Sequence, residues 1–96
     1  MGTLHVVSHA PGGSEALADC LRVVRPDDAV LFIRDGVYGA FDARLDVLPD
    51  AISVCALEPD VLARGLDARI GNQVRRLDQV GFVALCAEHD RVVSWS

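Results

Sequence analysis

The chain has 96 residues, 51% of them hydrophobic, and its 14 acidic and nine basic residues give a net charge of −5. This length suits one core, so we expect a single domain over residues 1–96. The negative charge disfavours direct contact with nucleic acid or an anionic membrane, and no apolar run approaches the roughly 18 residues of a membrane span. The mean hydropathy of +0.29 predicts that apolar surface meets other subunits.

The first half of the chain alternates strand and helix patterns. The run "TLHVVS" predicts a strand, and "APGG" ends it before a helix over "SEALADCLRVV" with Ser14 as its cap. "RPDD" ends that helix, and the apolar run Ala29–Ile33 is typical of a strand buried on both faces, as in parallel sheets. A short helix is predicted from near Val37, followed by a strand over "ISVCAL".

The second half repeats the alternation. "EPDVLARG" predicts a short helix, because Pro59 suits a helix start and Gly65 a helix end. "QVRRL" follows as a strand, "DQVGFVALCAEH" as a helix capped by Asp78, and "RVVSW" as a final strand. Five strands alternating with helices predict a small doubly wound α/β fold with a mainly parallel sheet.

Doubly wound sheets carry their sites at the carboxyl ends of the strands. Three loops are therefore candidates: His9–Gly13, Arg34–Gly36 and Leu57–Asp60. "PGGS" in the first loop matches neither a dinucleotide nor a Walker motif, so an ordinary turn is favoured over phosphate binding, and we expect no cofactor. Asp35 is a candidate general base, but Asp-Gly is a common turn pair and the structural interpretation is favoured.

The histidines do not predict a metal site. His5 and His9 are four residues apart, but His5 falls in a strand and His9 in the loop beyond it, with no cluster of cysteines or carboxylates nearby. His89 follows the last predicted helix, where a cation would favour the helix C-terminus. We expect no metal.

Cys20, Cys55 and Cys86 have no zinc-ligand or disulfide spacing, which favours a reducing cytoplasm. Cys55 and Cys86 fall at apolar positions of a strand and a helix. Cys20 shares a helix face with Leu17, Leu21 and Val24, which favours a place in the core. The alternative is a sulfur nucleophile, in which neighbouring arginines offset the charge of Asp19.

Four stretches in order along the chain resemble a known family. They are "LHVVSHAPG", "CLRVVRPDDAVLFIRDGVYGAF", "VCALEPDVLARGL" and "LDQVGFVALCAEHDRVVSW". Together they resemble the DsrH/TusB-type subunits of the DsrEFH and TusBCD sulfur-relay complexes, over nearly the whole chain. The opening "HAPGG" departs from the Ser-Pro pair frequent in relatives.

This resemblance implies a subunit of a cytoplasmic heterohexamer with DsrE/TusD-like and DsrF/TusC-like partners. Such complexes pass persulfide sulfur from an upstream donor protein to a downstream acceptor, in tRNA wobble 2-thiouridine synthesis or in sulfur oxidation. The principal acceptor cysteine lies on the DsrE/TusD-type partner. DsrH-type chains resemble this one in carrying a first-helix cysteine, matching Cys20, which leans toward the oxidation branch.

Two functions are favoured, and a third, a free-standing nucleotide or small-ligand binding domain, is suggested only by fold analogy. In the first, the chain is a sulfurtransferase subunit without independent turnover, and Cys20 accepts sulfur. In the second, it is a non-catalytic subunit that completes the hetero-oligomer and shapes the partner's site, while Cys20 only packs.

Overall fold

The computed structural model describes residues 2–95, and this part of the chain forms five strands and three α-helices. The strands are Thr3–Val7 (β1), Ala29–Phe32 (β2), Ser53–Leu57 (β3), Arg75–Leu77 (β4) and Arg91–Trp95 (β5). The helices are Ala16–Val23 (α1), Glu58–Ala63 (α2) and Gln79–Ala87 (α3).

The strands form one sheet in the order β4-β3-β2-β1-β5, and every neighbouring pair is parallel. The central strand β2 aligns Val30 with His5 of β1 and with Val54 of β3. At the other side of β1, His5 aligns with Val93 of β5. The predicted doubly wound α/β fold is confirmed, and its sheet is parallel throughout.

Helices cover both faces of this sheet. Side chains that alternate along the strands divide into two buried clusters, one with α1 and α2 and one with α3. We call these two sides of the sheet the α1 face and the α3 face. On β1, Val7 belongs to the α1 face, whereas Leu4 and Val6 belong to the α3 face. His5 is two residues from Val7 and therefore points to the α1 face.

The region after β2 differs from the prediction. In place of a helix from Val37, the chain forms two 3₁₀ turns, Arg34–Gly39 and Ala43–Val47. Gly36 lies so close to β1 that a Cβ atom there would fall 2.0 Å from the Val7 carbonyl oxygen. Two glycines in six residues weaken an α-helix, and the tighter turn brings the loop against β1.

The helix ends otherwise follow the predicted signals. The Asp78 carboxylate accepts from the Gly81 N–H at 2.8 Å, capping α3. Gly65, which follows the C-cap residue Arg64, takes a φ of +66° and ends α2. Helix α1 begins at Ala16, two residues after the predicted cap, and the Ser14 hydroxyl still accepts from the Ala16 N–H at 3.0 Å.

Part of the exposed apolar surface lies on α3, and the rest is spread over other elements, with Val47 the most exposed at 83%. Val80 and Val83 are 77% and 68% exposed, while Leu85 of the same helix is buried against the sheet. No helix in residues 2–95 has the length and hydrophobicity needed to cross a membrane.

Candidate functional site

Cys20 lies at the centre of the interface between α1 and the sheet. Its side chain is 0% exposed and packs in the cluster that contains Leu17, Val30 and Phe32. The 3.6-residue period of α1 places Leu17 and Cys20 on the inward face, while Arg22 points outward and binds Asp19 on the surface. The prediction that Cys20 lies in the core is therefore confirmed.

This environment holds the Cys20 sulfur as a protonated thiol. Burial, and secondarily the negative charge of Asp28, raise the pKa of Cys20 to about 12. A thiolate is the attacking form of cysteine, so Cys20 in the isolated chain is neither ionised at neutral pH nor reachable from solvent. The acid that acts on Cys20 is Asp28 rather than its sequence neighbour Asp19.

The other two cysteines are on the α3 face. Cys55 is buried on β3, and burial raises the pKa of its thiol against the opposing charge of Arg75. Cys86 on α3 is partly exposed and packs against the same cluster. All three cysteines are free thiols.

Two of the three candidate loops are bonded together at the carboxyl ends of the strands. The Asp60 carboxylate accepts from the backbone N–H of Arg34 at 2.6 Å, and Arg34 has a φ of +50°. Arg64 donates to the Asp35 carboxylate at 3.0 Å, which ties the second loop to α2. Asp35 is thus engaged in an ion pair that supports the loop structure.

The first loop forms an ordinary turn. Pro11–Gly13 is a single 3₁₀ turn closed by a 3.1 Å bond from the Gly13 N–H to the Ala10 carbonyl. His9 contacts the Ser8 hydroxyl at 3.3 Å through Nδ1. Within residues 2–95, no group of three or more His, Cys, Asp and Glu side chains is arranged to hold a metal ion. At the end of α3, His89 Nδ1 donates to the Leu85 carbonyl at 2.8 Å.

A buried polar cluster lies on the α1 face beside Cys20, and it brings together residues distant in sequence. His5 on β1 is 4% exposed, and its Nε2 lies 3.0 Å from the carboxylate of Asp28, which directly precedes β2. Trp95 at the end of β5 donates from Nε1 to His5 Nδ1 at 3.1 Å, and the two rings stack with centroids 6.0 Å apart.

The hydrogen-bond partners define the state of His5. An indole N–H only donates, so His5 Nδ1 is an acceptor and carries no proton. Nε2 therefore carries the ring proton and donates a hydrogen bond to the Asp28 carboxylate. In this tautomer both ring nitrogens of His5 have a hydrogen-bond partner.

Asp28 joins three parts of the fold through its carboxylate. It accepts from the Thr3 N–H at 2.8 Å and from the Arg25 N–H at 3.0 Å, in addition to His5. Burial disfavours the charged form, but these hydrogen bonds outweigh it and lower the pKa of Asp28 below its ordinary value. The carboxylate thus links the end of α1, the start of β1 and the start of β2.

The cluster borders a groove of about 530 Å³ between the end of α1 and strand β5. Val23, Val93 and Trp95 supply its apolar lining, and Arg25 and Arg91 also line it. The local sequence around His5 raises only the question of metal binding and does not predict this cluster. The available signal was a histidine inside the apolar run "LHVV", since a polar side chain in a buried strand needs a hydrogen-bond partner.

The chain is similar to known proteins over nearly its whole length. The family model described as "DsrH like protein" matches residues 9–92. Protein TusB of Escherichia coli O81 (strain ED1a) is 36% identical over 95 residues, which cover 96% of this chain and 99% of that protein. Protein TusB of Salmonella paratyphi B (strain ATCC BAA-1250 / SPB7) is 37% identical with the same coverage.

A solved structure has the same fold. The crystal structure of the ychN protein from E. coli superposes with a TM-score of 0.76 over 98% of this chain and 99% of that chain. The two sequences are 18% identical, so this similarity concerns the fold alone.

Proposed function

This chain belongs to the DsrH-like family, and on that basis we propose that it is a subunit of a cytoplasmic sulfur-relay complex without turnover of its own. The family match and the TusB relatives support a sulfur-relay role. We further propose that it assembles with DsrE/TusD-like and DsrF/TusC-like subunits and shapes the site on which persulfide sulfur is carried. The exposed valines of α3 offer apolar surface for such assembly.

Cys20 has a structural role in this proposal. The observation that carries it is the complete burial of the Cys20 thiol together with a pKa raised to about 12. Persulfide transfer requires a thiolate that attacks the outer sulfur of a donor persulfide, forms a new sulfur–sulfur bond and releases the donor's thiolate. Cys20 would meet these requirements only if assembly opened the contact between α1 and the sheet.

Intact-mass measurement after incubation with inorganic polysulfide tests this role. We expect Cys20→Ala to load the same number of sulfur atoms as the wild type, both in the isolated chain and mixed with the two partner subunits. Cys86→Ala is the matched control, because Cys86 is the partly exposed thiol. Loss of one added sulfur in Cys20→Ala, but not in Cys86→Ala, would make Cys20 a sulfur carrier and overturn the structural role.

The TusB relatives favour tRNA thiolation over sulfur oxidation as the pathway. The measurement is the 2-thiouridine content of tRNA from cells that lack this chain. We expect that content to fall and to recover with either the wild type or Cys20→Ala. Unchanged thiolation with impaired growth on reduced sulfur compounds would assign the chain to the oxidation branch.

A further inference from the structure

Strand β5 is an open edge of the sheet. In the described chain it pairs only with β1, so the backbone groups on its other side have no strand neighbour. Its five residues are more exposed than those of β1 or β2. An edge of this kind can accept an added strand through main-chain hydrogen bonds. The opposite edge, β4, has only three residues.

The groove on the α1 face runs along this edge. Its volume of about 530 Å³ is in the range of sites that hold a bound molecule. Arg91, Val93 and Trp95 of β5 point into it because alternate residues of a strand share a face. A strand added beside β5 would place every second side chain over the same groove.

The charge of the groove indicates the chemistry of its occupant. Neither the Arg25 nor the Arg91 guanidinium has an ion-pair partner within residues 2–95, although the chain carries an excess of five negative charges. Of the seven other arginines, four are bound to carboxylates, Arg22, Arg44, Arg64 and Arg76, and the three that also lack an ion-pair partner within residues 2–95, Arg34, Arg69 and Arg75, lie outside the groove. The nearby Asp28 carboxylate is occupied by its three hydrogen-bond donors.

We propose that β5 and this groove form a docking site for an extended acidic segment of a partner protein. The segment adds a strand to β5, places a carboxylate near Arg91 and Arg25, and lays an apolar side chain against Val93 and Trp95. This inference goes beyond the proposed function, because it depends on neither Cys20 nor sulfur transfer.

Trp95 is the sole tryptophan of the chain and lies in the groove, so its fluorescence reports occupancy. The probe is a blocked peptide about seven residues long, the length of an ordinary strand, with glutamate, valine, valine and glutamate at its odd positions and threonine between them, so that both kinds of side chain face the groove. We expect a saturable change in Trp95 emission that weakens with added salt, together with slower hydrogen exchange at the β5 amides. The same peptide with glutamine in place of glutamate should bind less tightly.

The double variant R25Q/R91Q should weaken binding of the glutamate peptide about fivefold, the sum of two exposed ion pairs. Arg75→Gln on β4 is the matched control and should leave binding unchanged. Both variants replace exposed side chains and should keep the melting temperature of the wild type. The proposal is overturned if millimolar peptide causes neither a change in Trp95 emission nor slower hydrogen exchange at the β5 amides. Equal binding of the glutamine peptide would also overturn it. So would a dimer in sedimentation experiments in which a second copy of the chain occupies the β5 edge.

Discussion

Cys20 and His5 are both buried on the α1 face, but the fold treats them differently. The Cys20 thiol is surrounded by apolar side chains and makes no hydrogen bond within residues 2–95, whereas His5 is bonded through both ring nitrogens. A thiol is a weak donor and packs as a small hydrophobic group, while an imidazole buried without partners is costly. The core accommodates the Cys20 thiol without a hydrogen bond, whereas it must supply hydrogen-bond partners to the His5 ring.

The two regions also differ in their access to solvent. Helix α1 closes over Cys20, whereas its end leaves the groove beside His5 and Trp95 open. The group with nucleophilic chemistry is thus sealed, and the accessible surface carries hydrogen bonds and charge. This difference in access supports the proposals that the groove recognises a partner and that Cys20 only packs.

The largest expected effect comes from removing the carboxylate that holds the polar cluster. Asp28→Ala leaves one buried and two partly buried donors without their acceptor and should lower the free energy of unfolding by about 3 kcal/mol. Asp28→Asn keeps one acceptor oxygen and should lower the free energy of unfolding by a smaller amount. Urea unfolding monitored by circular dichroism measures both, and equal stability of Asp28→Ala and wild type would show that the cluster does not stabilise the fold.

Alkaline pH should reveal the buried thiol. The folded protein keeps the Cys20 proton up to about pH 12, whereas the unfolded chain releases it near about pH 8.5. Because only the unfolded state loses this proton as pH rises, the free energy of unfolding should fall by about 2 kcal/mol between pH 8.5 and pH 10. Cys20→Ala should decline less steeply over that range, and parallel curves for the two proteins would contradict the burial of an intact thiol.

Loss of the indole donor should have a smaller effect. Trp95→Phe keeps an aromatic ring beside His5 but removes the hydrogen bond to Nδ1, so we expect a loss of about 1 kcal/mol. Thermal unfolding measures the change. Tyr38→Phe, which alters an exposed aromatic residue, is the control and should be close to neutral.

The smallest effect is expected on the outer side of α1. Arg22 and Asp19 form an exposed ion pair, and Arg22→Gln should change the stability by less than about 0.5 kcal/mol. Added salt should reduce even this difference. A larger loss would mean that the outer face of α1 also contributes substantially to stability, and not only the inner face that packs on the sheet.

Several elements could be predicted from local sequence. The Asp78 cap, the Gly65 helix end and strand β5 follow from cap chemistry, glycine conformation and β-branched residues, all of which act over a few positions. The 3₁₀ turns after β2 could not be predicted, because the approach of Gly36 to Val7 brings together residues far apart in the chain.

The candidate site divides in the same way. Helical periodicity placed Cys20 on the inward face of α1, and the depth of its burial depends on β1 and β2 beneath it. The cluster of His5, Asp28 and Trp95 spans nearly the whole chain, because His5 and Trp95 are 90 positions apart. No local pattern links these three positions.

The sequence by itself determined the order of the five strands and three α-helices, the parallel sheet and the inward face of α1, because hydrophobic periodicity and capping are local properties. The tertiary structure decided which polar groups meet and which remain free. It joined His5 to Asp28 and Trp95, and it left Arg25 and Arg91 at an open edge. Hydrogen bonds and ion pairs depend on distances of a few ångströms, and strand order sets those distances between residues that sequence separates.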